Sequence, residues 1–203
     1  MPELIEVEQF TLQSLGPNLL GLSFGTPGLQ QVSSLSVSDT FLQNFNGINL
    51  KTAENILIAT NQLLTDLTMQ IQNVTGIFEV RGNSMQANGG LSVNLPNLAE
   101  AGGVLINNVE SVDLSSLSNV TRIINLNENL ITEVAFPNLT QIGPGGGGFN
   151  IVNNVQLTNL SAPLLARVQG GVVIANNTKL TGTYSLPSLR LVGSGAFNGP
   201  FTK

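Results

Sequence analysis

Apolar and polar residues alternate over short stretches of this chain, and many of these stretches lead into an asparagine. The signature apolar-x-apolar-x-x-Asn occupies residues 56–61, 78–83, 124–129, 149–154 and 172–177. An alternation with a period of two predicts half-buried β-strands, and the Asn that follows marks a turn. Because the signature returns about every 23 residues, it predicts a solenoid of stacked coils.

The second apolar residue of each signature serves as a coil marker, and weaker copies extend the series to both ends. Intervals of about 20 to 26 residues indicate coils of irregular length rather than a strict short repeat. We expect an all-β fold, a right-handed parallel β-solenoid of about nine coils that is receptor-L-domain-like. The markers are Leu12, Val37, Ile58, Val80, Ile106, Leu126, Ile151, Ile174 and Phe197.

Proline and glycine recur at fixed places within the coils. Pro96, Pro137, Pro163 and Pro187 each stand two residues before a leucine. Since proline has no N–H to donate to a strand ladder, it predicts a corner of the coil. Glycines stand just before the predicted strands, where they predict a close backbone approach or a positive φ. These glycines lie at 102–103, 170–171 and 193–195.

The recurrent asparagines allow two interpretations, a ligand-binding ladder or a structural one. Asn side chains satisfy backbone groups in tight turns. Because Asn recurs wherever the turn recurs, we favour a structural ladder formed by Asn61, Asn83, Asn129, Asn154 and Asn177. Other residues take the equivalent places at Leu15, Thr40, Val109 and Pro200.

Composition limits the chemistry that the chain can perform. Charged residues make up 9% of the chain, the net charge is -5, and there is no His or Cys. Seven scattered basic residues do not form a surface for nucleic acid. The shortage of imidazole and thiolate ligands disfavours a metal site. Glu128 and Glu133 are candidates for approaching acidic neighbours, but we favour solvated surface charge. We therefore predict no catalytic residue, no cofactor and no metal, and a protein that is not an enzyme.

The glycine run at 143–148 has the composition of a phosphate-binding loop. However, no Lys-Ser or Lys-Thr pair follows it, and it leads into a strand instead of a helix. We therefore predict a loop between two strands.

Five Asn-x-Ser/Thr sequons are candidate N-glycosylation sites. Chance alone would give roughly four in a chain this rich in Asn, Ser and Thr, so the count does not establish secretion. Asn138 follows a corner proline and Asn176 lies at a strand exit, so a glycan at either place would leave the core undisturbed. The five are Asn73, Asn119, Asn138, Asn159 and Asn176.

Unbroken periodicity predicts a single domain over residues 1–203. The sequence contains no run of 18 apolar residues and no transmembrane segment is expected. The first residues lack the basic start and apolar core of a signal peptide. Neither end carries a polar capping repeat, so we expect an excerpt of a longer secreted protein. Uncapped coils also raise the prospect of end-to-end association.

Several segments together resemble the fungal GPI-anchored cell-wall organisation proteins, a family that includes the sporulation-specific wall proteins. The resemblance rests on residues 55–61 with 64–70, on 170–180, and on the closing repeats at 186–193 and 197–203. It implies a receptor-L-domain-like, leucine-rich-repeat-like solenoid at the extracellular surface or in the cell wall. The family's signal peptide, terminal cysteines, Ser/Thr-rich stalk and GPI signal are absent here, and it offers no active-site residues to transfer.

The resemblance implies a non-enzymatic protein that supports cell-wall organisation and integrity. Its sheet surface would face polysaccharide, such as glucan or chitin, or surface proteins. The main alternative is a ligand-binding or signalling ectodomain like the L domains of growth-factor receptors. A polysaccharide-degrading β-helix is a third possibility, which would require converging carboxylates.

Overall fold

The chain folds as a parallel β-solenoid, as the repeat predicts. The computed structural model describes residues 4–83, 90–181, 184–193 and 195–196. These residues contain strands and no helix, and therefore no helix able to cross a membrane. The strands are β1 (Glu6–Gln13), β2 (Gly21–Ser23), β3 (Leu29–Ser38), β4 (Asn44–Asn46), β5 (Ile48–Ala59), β6 (Asp66–Thr68), β7 (Asn73–Arg81), β8 (Leu91–Asn94), β9 (Glu100–Asn107), β10 (Val109–Asp113), β11 (Asn119–Asn127), β12 (Glu133–Ala135), β13 (Gln141–Ile142), β14 (Phe149–Val152), β15 (Asn159–Ser161), β16 (Arg167–Val168), β17 (Val172–Ala175), β18 (Leu191–Val192) and β19 (Gly195–Ala196).

One long sheet forms the spine of the solenoid. Its strands β1, β3, β5, β7, β9 and β11 are parallel neighbours, and β14 and β17 continue the sheet beyond β11. The coil markers are direct cross-strand partners from Leu12 to Ile174, which confirms the predicted register. The ninth marker, Phe197, lies outside the described residues. Eight stacked coils of uneven length therefore confirm the predicted fold class.

Each long strand has an irregular step near its middle. The cross-strand register shifts between Val74 and Ile77 in β7 and between Val120 and Ile123 in β11. In later coils the step becomes a break, which separates β13 from β14 and β16 from β17. Gly102 lies at this step inside β9, so its predicted place before the strand was wrong. The predicted close approach is present, because a Cβ on Gly102 would lie 2.2 Å from the Gly76 carbonyl oxygen.

Smaller sheets form another side of the coils. They are β2 with β4, then β6, β8 and β10, then β12 with β15. A turn returns the chain from these sheets to the long one, and the four corner prolines lie in such turns. At Pro96, for example, the Leu98 N–H donates to the Leu95 carbonyl at 3.2 Å. Proline suits the second position of this turn, where its fixed φ is favourable, so the predicted corners are confirmed.

The inward side chains of all sheets fill a continuous apolar core. Ile58, Val80, Ile106, Leu126 and Ile151 are each at most 1% exposed. Like residues stack on like residues from coil to coil, as the parallel register requires. Phe136 and Phe149 meet edge to face, with ring centroids 5.7 Å apart.

The chain leaves the long sheet through a left-handed residue in every described coil. This residue stands just before each position of the Asn series and has φ between 52° and 60°. Only one of the eight is glycine. They are Ser14, Asp39, Thr60, Gly82, Asn108, Glu128, Asn153 and Asn176.

Candidate functional site

The five recurrent asparagines line one corner of the solenoid. Asn61, Asn83, Asn129 and Asn154 are at most 2% exposed, and Asn177 is half-buried. Asn154 shows the repeating geometry. Its Nδ2 donates to the Leu126 carbonyl at 3.0 Å, and its Oδ1 accepts from the Asn129 backbone N–H at 3.0 Å.

The donation to a backbone carbonyl recurs between successive coils. Asn61 donates to Val37, Asn83 to Ile58, Asn129 to Ile106 and Asn177 to Ile151, in each case to the carbonyl of a coil marker. A buried amide that binds backbone on both sides has little capacity left for a ligand. This corner therefore holds the coils together and leaves the surface elsewhere as the place for binding.

Where another residue replaces Asn in the series, other groups make the hydrogen bonds between coils. The Thr40 hydroxyl donates to Asn61 Oδ1 at 2.6 Å and accepts the Leu42 N–H. Val109 contributes backbone only: its N–H donates to Asn129 Oδ1, and its carbonyl accepts from Leu130. Leu15 donates its N–H to the Asp39 carbonyl. Pro200 lies outside the described residues.

Beyond the step, the long sheet presents an outer face whose strands pair in unbroken register. We define the outer row as the outward residue that precedes each coil marker. Its members are cross-strand partners in unbroken register, so they form a straight line along the solenoid. They are Thr11, Ser36, Leu57, Glu79, Leu105, Asn125, Asn150 and Val173.

Along this face the chemistry changes from one end to the other. The first two coils present hydroxyl and amide groups, including Gln9, Thr11 and Ser36. The fourth coil carries an ion pair, in which Arg81 Nε lies 2.6 Å from Glu79 Oε1. This pair is partly exposed, so it contributes little to stability.

The face of the last four described coils carries no ionic side chain at its outward positions. We call this region the uncharged face. Charged side chains lie at its borders, with Arg122 at the step and Glu128 at the strand exit, both exposed. Its outward positions are Gly103, Leu105, Asn107, Ile123, Asn125, Asn127, Gly148, Asn150, Val152, Gly171, Val173 and Ala175.

Four asparagines form an amide block at the centre of the uncharged face. Asn107 pairs across the strands with Asn127, and Asn125 pairs with Asn150. All four side chains are half-buried. Asn127 Oδ1 accepts from Asn153 Nδ2 at 3.0 Å, and Asn153 Oδ1 accepts from Asn176 Nδ2 at 2.9 Å. Among the described residues, the other three amides make no protein hydrogen bond.

An aliphatic ridge adjoins the amide block. Ile77 and Ile123 fold over Gly103 from both sides, since a Cβ there would lie 2.7 Å from Ile77 Cδ1 and 3.2 Å from Ile123 Cγ2. Leu105 is half-exposed next to Asn125. The uncharged face thus offers both donors and acceptors beside C–H surface.

The sequons fall into two groups. Asn73 and Asn119 are half-buried at the beginning of β7 and β11, and Asn119 Oδ1 accepts from Gln141 Nε2. Asn138, Asn159 and Asn176 are exposed. No sequon lies among the outward positions of the uncharged face, although Asn176 borders it. Glycosylation of the five remains a prediction.

The acidic residues do not assemble a reactive centre in the described part of the chain. No group of three His, Cys, Asp or Glu side chains there could hold a metal ion. Glu128 and Glu133 are exposed, at a strand exit and on β12 respectively. A groove of about 490 Å³ at the step is lined partly by Glu6, Glu8 and Glu54, and all three are exposed to solvent. Solvated charge accounts for this arrangement.

The glycine run connects β13 to β14, as predicted. It packs against the preceding coil: a Cβ on Gly147 would lie 1.6 Å from the Arg122 carbonyl oxygen. The Gly145 N–H donates to the Thr121 carbonyl at 2.7 Å. Because this contact occupies the loop backbone, the run acts as a close-packed connection.

The repeat locates the outer row, because each member directly precedes a coil marker, but it does not single out the residues beside that row. Asn107, Asn127, Ile77 and Ile123 lie two positions from an outer-row residue on the same strand. The signal was available, since residues at i and i+2 share one face of a strand. The step in the strands makes this pattern harder to recognise in the sequence, because the cross-strand register differs on the two sides of the step.

Comparison with known proteins identifies relatives of the whole repeat region. The chain is 34% identical to protein ecm33 of Aspergillus fumigatus over 186 residues, 91% of this chain and 44% of that protein. It is 29% identical to sporulation-specific protein 22 of Saccharomyces cerevisiae over 182 residues, 89% of this chain and 38% of that protein. A cell surface GPI-anchored protein of Arthroderma benhamiae is 29% identical over 168 residues, 82% of this chain and 41% of that protein.

The chain thus spans well under half the length of these relatives. No family model and no solved structure matches it. One of these relatives is named as a cell surface protein and one as a sporulation protein, other relatives are named as cell wall proteins, and none of these names is that of an enzyme. Their matches cover most of the coils that the sequence predicts. The chain is therefore a homologue of fungal GPI-anchored and cell-wall proteins.

Proposed function

We propose that this chain is a non-enzymatic protein of the fungal cell surface or cell wall and that it supports wall organisation. In this proposal the outer face of the long sheet contacts wall components. The observation that carries it is the uncharged face, an outer sheet surface of four coils on a scaffold whose relatives include cell surface and cell wall proteins. Rigid pairing of its strands keeps the face in one shape before any partner binds, which lowers the entropic cost of association.

The absence of catalysis in this proposal is supported by the same geometry. Glycoside hydrolysis needs two carboxyl groups held on either side of the scissile bond. The uncharged face offers amides, aliphatic side chains and glycine instead. A protein that holds polymers without cleaving them needs only contacts of this kind, repeated along its length.

Co-sedimentation of the 203-residue chain with isolated fungal walls tests the proposal. We expect saturable binding and no release of reducing sugar ends over long incubation. The unfolded variant Ile151→Asp is the control for non-specific adhesion and should not reach the same saturation. Release of sugar ends would overturn the non-enzymatic assignment. Failure to bind walls, together with tight binding to one purified surface protein, would favour the ligand-binding ectodomain instead.

A further inference from the structure

The amide block is the part of the uncharged face that indicates most clearly which chemical groups a ligand would carry. Three of its amides, those of Asn107, Asn125 and Asn150, have no protein partner among the described residues. Each amide presents two N–H donors and one carbonyl acceptor. Neighbouring hydroxyl groups on a ligand also donate and accept, so they match paired amides in both roles.

The lack of ionic side chains at the outward positions further limits the class of ligand. An anionic polymer would need Lys or Arg on the face, and a cationic polymer would need Asp or Glu. The outward positions of the uncharged face offer neither, and a charged group desolvated there would lack a counter-charge. A ligand without charge meets no such penalty.

The shape of the face also selects the ligand. Gly148 and Gly171 keep one edge of the face low in its last two coils, and no aromatic side chain lies among the outward positions. A flat surface encloses a small molecule poorly, since small-molecule sites are concave. An extended chain can instead cross several coils and make the same weak contact repeatedly.

We propose that the amide block of Asn107, Asn125, Asn127 and Asn150 is a binding site for an uncharged polyhydroxylated polymer, that is, a neutral polysaccharide, for which β-1,3-glucan is the main probe. The amides bind ligand hydroxyls, and Leu105, Ile123 and Val173 contact the C–H faces of the sugar rings. This inference rests on the proposed wall-contact function and specifies its ligand and its residues.

The test measures binding isotherms of the 203-residue chain on particulate β-1,3-glucan, chitin, chitosan and polygalacturonate. The double variant Asn125→Ala/Asn150→Ala removes two central amides. Asn125→Asp/Asn150→Asp keeps the shape but adds charge and removes donors. The matched control is Asn44→Ala/Asn94→Ala, which changes two half-buried asparagines on the smaller sheets. Thermal midpoints verify that every variant is folded.

We expect wild type to prefer the neutral polymers, glucan and chitin, to the charged ones and to retain its affinity at about 1 M salt, where charge interactions are screened. Both outer-face variants should weaken glucan binding at least tenfold, and the control should bind as wild type does. Equal affinity of the outer-face variants and wild type would overturn the assignment of this site. Preference for a charged polymer would overturn the ligand class.

Different results would overturn the ligand assignment and the wall-contact function. If wild type binds isolated walls but neither β-glucan nor chitin, the ligand assignment is wrong and the wall-contact function stands. If wild type binds neither walls nor any of the four polymers, the wall-contact function itself is wrong.

Discussion

At the scale of single residues, buried Asn amides connect successive coils by hydrogen bonds, a stabilising role that helix caps or disulfides have in other folds. Each ladder Asn donates to the carbonyl of a coil marker in the coil before it, and Asn83, Asn129, Asn154 and Asn177 also accept a backbone N–H of that coil. Buried backbone groups need such partners, because an unpaired one costs about 1 to 3 kcal/mol. The ladder therefore couples each coil to its neighbour through hydrogen bonds as well as through apolar packing.

Asn154→Ala should destabilise the protein by about 2 kcal/mol or more. It leaves the Asn129 N–H and the Leu126 carbonyl without their side-chain partner in a buried site. Urea denaturation measures the change. Asn150→Ala, on the outer face of the same coil, is the control and should cost far less. A loss at Asn154 no greater than at Asn150 would show that the amide contributes little to the fold.

Thr60→Asn should stabilise the protein by about 0.5 to 1 kcal/mol. Thr60 has φ of 55°, a region that β-branched residues rarely adopt, whereas Asn tolerates it and occupies it at Asn108, Asn153 and Asn176. Thr52→Asn, at an exposed place in the same long strand, is the control and should bring no gain. An unchanged or lower urea midpoint for Thr60→Asn would mean that the strain is relieved by other contacts.

At the scale of elements, the step in the long strands depends on close backbone contact between coils. The long strands change register at nearly the same height, which divides the sheet into two parts. Glycines at this height let one coil's backbone approach the next. The step therefore decides which residues share the outer face.

Gly102→Ala should destabilise the protein by about 2 kcal/mol or more. The new Cβ would lie 2.2 Å from the Gly76 oxygen and 2.4 Å from the Thr75 oxygen, and backbone atoms in a paired strand cannot move away easily. Gly171→Ala is the matched control, because no atom lies within 4 Å of its Cβ position. Differential scanning calorimetry should show a lower midpoint for the first variant only. Equal midpoints would indicate that the step can relax.

At the scale of the whole molecule, the core is a single apolar column that runs through all described coils. Each coil contacts its neighbours, so the free energy of unfolding is approximately a sum over coils and the interfaces between them. A destabilising substitution in the core should consequently affect many coils, whereas the effect of a substitution on the outer face should be confined to its own coil.

Ile151→Asp should abolish cooperative folding, and Val173→Asp should be tolerated. Ile151 is 0% exposed, so Asp there would be an unpaired buried charge that costs several kcal/mol. This is comparable to the whole stability of a domain, about 5 to 15 kcal/mol. Val173 is 45% exposed on the outer row of the next coil. Circular dichroism and hydrogen exchange measure both, and a folded Ile151→Asp variant would contradict the inward assignment.

The repeat period by itself determined the fold class, the coil markers and the corner prolines. This was possible because each coil of a solenoid folds on a local pattern and stacks on a copy of itself. Sequence spacing therefore translates directly into cross-strand register, as the partnership of Leu126 with Ile151 shows. The family resemblance followed from the same repeated segments.

Only the tertiary structure decided how the surface is arranged. The step in each strand, the left-handed strand exits and the uncharged face depend on contacts between coils that lie about 20 or more residues apart in sequence. Asn107 and Asn127 each share a strand face with the outer-row residue two positions before them, but only sheet pairing shows that the two lie side by side. Core positions repeat because packing demands it, whereas outward positions are free to vary, so their grouping appears only when the coils are stacked.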